Sequence, residues 1–213
     1  MLFNISNLSL LGFVYFMAFA CGVSNKIDDI SYAPKVVEAD EQYADVYKPL
    51  DGNWKGIFKI YEDQSRGKRS ENDLKNLTVD HLRRPSLKLS NTVEVEQTYT
   101  SESPYFQRVE IKDTYTNEDG ETTNAVSEGV NKVQNGKMWC VVKKPDETVI
   151  HEGNTEGEHT IIWQRSEQKP QKVEYFKETV EETVYEIIGY GYYDGDDLEL
   201  SPRYWFYGKY EKQ

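Results

Sequence analysis

The chain has 213 residues, 16 of them tyrosine, with 38% hydrophobic content and a net charge of −12. That length supports one domain with its own core, its apolar area drawn from aromatics and alternating aliphatics. The acidic balance repels phosphate backbones and argues against nucleic acid as a partner.

Leu8 to Ala20 is an uncharged apolar run, too short to cross a bilayer, which takes about 20 residues, and long enough for the core of a signal peptide over residues 1–20. It ends in Ala18-Phe19-Ala20-Cys21-Gly22. This resembles the lipobox of bacterial lipoproteins, with Ala18 where Leu is more usual and no basic residue ahead of the run. The resemblance implies cleavage before Cys21, acylation of its thiol with palmitate-type chains, and a membrane partner reached through that anchor. It also implies a place in the bacterial cell envelope, on the outer membrane if the cell is Gram-negative. The alternative is an ordinary secretory signal or a short anchor. Gly22 to Lys48 is polar and acidic without periodicity. Residues 21–48 are therefore expected to form a lipidated N-terminus and a flexible tether.

Leu50-Asp51-Gly52-Asn53-Trp54 opens the folded part, residues 49–213. Trp54, Gly56, Phe58 and Ile60 share one parity, while Asn53, Lys55, Lys59 and Tyr61 share the other, the period of a half-buried strand. Ser65 to Pro85 changes character. Ser70 can cap a helix over which Leu74, Leu77 and His81 recur, and six Lys/Arg residues make it the basic patch of the chain. A solvated loop with one helical turn is the alternative.

From Pro85 the chain is strand and turn. Expected strands cover Leu87–Tyr99, Phe106–Thr116, a stretch through Val126 and Val130, Met138–Lys143 and Thr148–Glu152. Others cover Thr160–Arg165, Lys172–Val180, Thr183–Tyr193, Leu198–Leu200 and Arg203–Tyr210. Asn135-Gly136 is a hairpin turn. About ten strands in sequence-adjacent hairpins predict an all-β, antiparallel up-and-down barrel with a short helical excursion after the first strand.

Gly52-x-Trp54 at the mouth of the first strand resembles the opening motif of lipocalins and their calycin relatives, and the excursion is similar to the helical lid of the fatty-acid-binding branch. Lys55 stands where lipocalins prefer an aromatic or Arg, the Thr-Asp-Tyr turn is absent, and Arg203-Tyr204-Trp205 misses the Arg-x-Tyr carboxylate grip by one residue. The resemblance implies a small apolar or amphipathic ligand, contacted by Trp54, Phe58, Ile60, Arg203 and Tyr204. It also implies that Arg203 packs over the Trp54 ring. The ligand mouth is expected near the basic Arg66 to Arg84 segment.

No catalytic constellation, cofactor motif or closed metal site is legible. His151 and His159 flank Glu152, Glu156 and Glu158 at a spacing that fits no known closed site. Glu178, Glu181, Glu182 and Glu186 read as solvated faces. Pairing across Pro145-Asp146 sets Cys140 opposite His151, either as an activated thiolate or as a buried cysteine beside a histidine. Three functions remain open: a lipid-anchored carrier, a non-enzymatic scaffold with a filled barrel, and an enzyme acting on a barrel-bound cofactor or pigment. An interior cavity of about 300 Å3 or more separates the first from the second.

Overall fold

A computed structural model describes residues 26–117, 119–168 and 171–213. The expected signal peptide (1–20) and Cys21 lie outside the described residues. Ten strands close into one antiparallel barrel: β1 Gly52–Asp63, β2 Leu87–Ser103, β3 Phe106–Thr116, β4 Thr122–Gln134, β5 Lys137–Lys143, β6 Thr148–Thr155, β7 Thr160–Gln168, β8 Gln171–Glu181, β9 Val184–Tyr193 and β10 Tyr204–Lys212. Each pairs with its sequence neighbour, and β1 with β10 completes the ring, Trp54 opposite Lys212 and Glu62 opposite Tyr204. Closure leaves no unpaired edge. The Asn135-Gly136 turn has φ of 56° and 71° at its two residues, the left-handed pair that matches strand twist in a two-residue hairpin. Leu198–Leu200 is not a strand; it is a loop in which Leu200 makes a single bridge to Lys68.

The two ends of the barrel differ. At the end where β1 begins, Trp54, Tyr185, Tyr99 and Tyr210 fill the interior. Trp54 meets the Tyr185 ring edge-on at 5.7 Å, and its Nε1 donates to the Leu50 carbonyl at 2.6 Å. Tyr47 stacks on Trp163 at 6.4 Å and donates to the Lys132 carbonyl at 2.9 Å. Trp163 in turn lies across Gly153, where a Cβ would meet the indole at 2.3 Å. This end is sealed by aromatics. The opposite end, where β5 turns into β6 and β9 ends, is open.

Two segments cover the outer wall: the expected helical excursion, in a different role, and the expected tether, in a different state. The helical excursion forms α1 (Glu71–Lys75), capped by the Ser70 hydroxyl accepting from the Asp73 N–H, and a 3-10 turn over Val79–Arg83. It packs Leu74 and Leu77 against the outward-facing Ile188, Tyr190, Tyr192 and Trp205. It is a buttress on the wall, not a lid, because those outward aromatics need cover.

The expected tether also docks, from residue 26 onward. Ile27 and Ile30 lie on Phe106, Val130 and Val141, while Lys132 Nζ donates to the carbonyls of Lys26 (3.1 Å) and Asp29 (2.8 Å). Asp40, fully buried, accepts from the N–H groups of Val37 (2.8 Å) and Gly136 (2.6 Å). A two-sided hydrophobic β3–β5 wall explains why this acidic segment is held down rather than free.

Candidate functional site

Strand parity alone decides which side chains enter the barrel. From β1, β8 and β10 come Phe58, Phe176 and Phe206, whose rings stack in series at 6.0 Å (Phe58–Phe206) and 5.3 Å (Phe176–Phe206). Ile60, Val93, Val95, Ile111 and Ile187 continue the apolar wall. These surfaces line an open-mouthed cavity of about 410 Å3 above the aromatic seal. A wider hollow of about 710 Å3 lies on the outward face of the wall beside Trp139, Ile150 and Tyr175, outside the barrel.

The cavity mouth is ionic. Arg165 bridges two carboxylates, Glu147 at 3.2 Å and Glu174 at 3.3 Å, with its own side chain 8% exposed. Lys144 reaches Glu147 at 3.3 Å, the Tyr193 hydroxyl donates to Glu174, and Lys172, Asp113 and Tyr115 complete the rim. Arg165 and Lys144 hold the Glu147 carboxyl below its ordinary value despite its burial, while burial pushes Asp113 up.

The floor carries Glu178. Its half-buried carboxyl faces the cavity beside the Trp163 and Tyr185 side chains. Burial raises its pKa to about 7, the polar groups of Trp163 and Tyr185 opposing the rise. Cys140 and His151 stand opposite each other across β5 and β6, as the turn arithmetic required. They and Glu178 border a smaller void of about 50 Å3. Burial pushes the thiol far up and, with Arg165, takes the imidazole down to about 3. At neutral pH the pair is therefore thiol and neutral imidazole, which removes the thiolate reading. His151 Nδ1 is buried without a hydrogen-bond partner; the Cys140 carbonyl is near enough to favour the charged ring slightly, but does not bond to it. Of the groups here, Glu178 is the one poised to exchange a proton near neutrality.

Among the expected ligand contacts, Phe58 and Ile60 line the cavity. Trp54 lies below it, in the seal. Arg203 and Tyr204 stand apart: Arg203 pairs with Asp196 at 2.5 Å, and Tyr204 packs edge-on against Tyr193 at 4.9 Å. Arg203 does not cover Trp54, because it joins β1 near Asp63, at the far end of that strand; Lys212 Nζ sits 5.3 Å over the Trp54 ring instead. Nor are the arginines of the basic segment free charges. Its arginines are paired, Arg66 with Asp196 (3.1 Å), Arg69 with Glu71 (2.5 Å), Arg83 with Asp80 (2.8 Å) and Arg84 with Asp73 (3.3 Å). His151 is inside the barrel and His159 in an exposed turn, so they do not share a site.

The residues missed from sequence are Arg165, Glu174 and Glu178. Their signal was parity: Glu174 and Glu178 alternate in phase with Phe176, and Arg165 with Trp163. Grouping Glu178 with the exposed acids of the next turn hid it. No family model and no curated protein matches the sequence. Among solved structures the chain is similar to a redesigned β-barrel at 12% identity, with 80% of this chain and 96% of that one covered and a TM-score of 0.36.

Proposed function

We propose that this chain is a lipid-anchored protein of the bacterial cell envelope whose lipocalin-like barrel binds or carries a small amphipathic ligand. The observation that carries the reading is the cavity of about 410 Å3, apolar along its wall and ionic at its mouth. Ligand sites are typically concave and mostly apolar with a few placed polar groups, at about 300 Å3 and upward. A scaffold with a solidly packed barrel has no use for that volume. The anchor is supported by Cys21 at the end of the apolar run. Because Lys26 is held on the barrel wall, the chain from Cys21 to it spans at most about 17 Å, so an anchored barrel is held close to the bilayer.

Titration of the delipidated protein with a panel of fluorescent lipids, sterols and tetrapyrroles tests the reading. We expect at least one to bind more tightly than about 100 μM, a threshold worth about 5.5 kcal/mol, and Ile111→Trp, which fills the cavity, to weaken it at least tenfold. Failure of the whole panel would leave the scaffold reading in front. For the anchor, Cys21→Ser is expected to lose a palmitate label and membrane fractionation; retention of both would refute it.

A further inference from the structure

The charges around the cavity do not balance evenly along its depth. At the mouth Lys144, Arg165 and Lys172 face Asp113, Glu147 and Glu174, so cations and carboxylates match in number. Glu178 on the floor is an additional acid, and none of the ion pairs among the described residues includes it. Beside it, bordering the same small void, is His151 with its buried, unpartnered Nδ1. Above it stand the rings of Phe176, Phe206 and Phe58.

We infer that the cavity takes a small amphipathic cation amine-first, its protonated amine paired with the Glu178 carboxylate on the floor and its apolar body against the Phe58–Phe206–Phe176 stack. This rests on the cavity reading above and names the class of ligand. An ammonium carries three N–H donors and no acceptor, which suits a floor offering carboxylate oxygens and an imidazole nitrogen. Desolvated aromatic faces add to the attraction for a cation. An anionic head would meet the opposite: repulsion from Glu178 below, and Lys144 and Arg165 at the mouth already engaged with carboxylates. A chain of net charge −12 also draws cations towards itself from solution.

Glu178 titrates among groups that stay neutral. Tyr99 (β2), Cys140 (β5), Tyr185 (β9) and Tyr210 (β10) are pushed up by burial, and His151 (β6) is pushed down. Proton uptake or release at the floor near neutral pH therefore belongs to Glu178. A cation that needs the carboxylate form must compete with a proton there, and binding tightens as pH rises.

Calorimetric titration with octylamine, octanol and octanoate at pH 8 separates head group from tail. We expect octylamine to bind at least tenfold more tightly than the other two, and Glu178→Gln to abolish that preference while octanol binding stays. In the wild type, octylamine should tighten about tenfold from pH 6 to pH 8 as Glu178 ionises, with octanol unchanged. Octanoate binding best, or an amine preference intact in Glu178→Gln, overturns the inference while leaving a carrier. Binding by none of the three removes the inference and counts against the carrier itself. The pH series needs only the wild-type chain, so a flat octylamine response overturns the inference even if Glu178→Gln does not fold.

Discussion

Replacing Trp54 measures how much the aromatic seal contributes to holding the barrel shut. The side chain is 1% exposed, meets Tyr185 edge-on, and satisfies the Leu50 carbonyl through a 2.6 Å hydrogen bond. Trp54→Ala removes the ring and leaves a void between Tyr185 and Leu50. Such truncations cost about 3–5 kcal/mol, and the orphaned carbonyl pushes the value towards the upper end. Lys212 over the ring adds little, since it is exposed. Against a total stability of about 5–15 kcal/mol, a loss of about 4 kcal/mol lowers the Tm by about 8–16 °C for a domain of this size. Trp54→Phe keeps most of the buried area and loses the N–H, at about 1–2 kcal/mol. Urea unfolding followed by circular dichroism gives both values. Because the ring lies beneath the cavity, Trp54→Phe should leave ligand affinity within about twofold. A Trp54→Ala loss under about 1.5 kcal/mol would refute the seal. A large loss of ligand affinity in Trp54→Phe would place the ring in the binding surface after all.

Glu178 and His151 make opposite contributions to stability against pH. A carboxyl raised from 4.5 to about 7 binds its proton more tightly when folded, so its stability is full below pH 4.5 and falls as pH rises through 7, by up to about 3 kcal/mol. Glu178→Gln should then stabilise the protein at pH 8 and do much less at pH 5, and an equal effect at both would show that the burial argument fails. His151, lowered from 6.5 to about 3, contributes stability that is present above pH 6.5 and lost as pH falls through 3; His151→Gln should flatten the acid limb of the stability curve. Asp40→Ala orphans two backbone donors, at about 1–3 kcal/mol each, and the loss should appear locally. Limited proteolysis and hydrogen exchange should show residues 26–45 released in the variant while the barrel stays protected. Equally rapid cleavage of this segment in the wild type would show that it is a tether.

Period-two alternation was enough to read the barrel. It put Trp54, Phe58 and Ile60 on the inner face, and the Asn135-Gly136 and Pro145-Asp146 turns set the registers of β4–β5 and β5–β6, including Cys140 opposite His151. These are local matters: side-chain direction along a strand and the geometry of a tight turn follow from the backbone over a few residues. Tertiary structure decided what the outer wall meets and which end closes. Trp205 and Tyr190 face outward, yet are buried because Leu74 and Leu77 pack over them. Lys132 is buried on the outer wall because the segment from Lys26 to Asp29 comes back to cap it. Arg203 lies far from Trp54 because closure of β1 on β10 runs antiparallel, which sends the start of one strand to the end of the other. The inward acids show the same division. Parity placed Glu178 in phase with Phe176, and hairpin pairing of β8 with β7 and β9 put Trp163 and Tyr185 beside it, but only closure of the ring made that face an interior, turning a solvated acid into a group that titrates near neutrality.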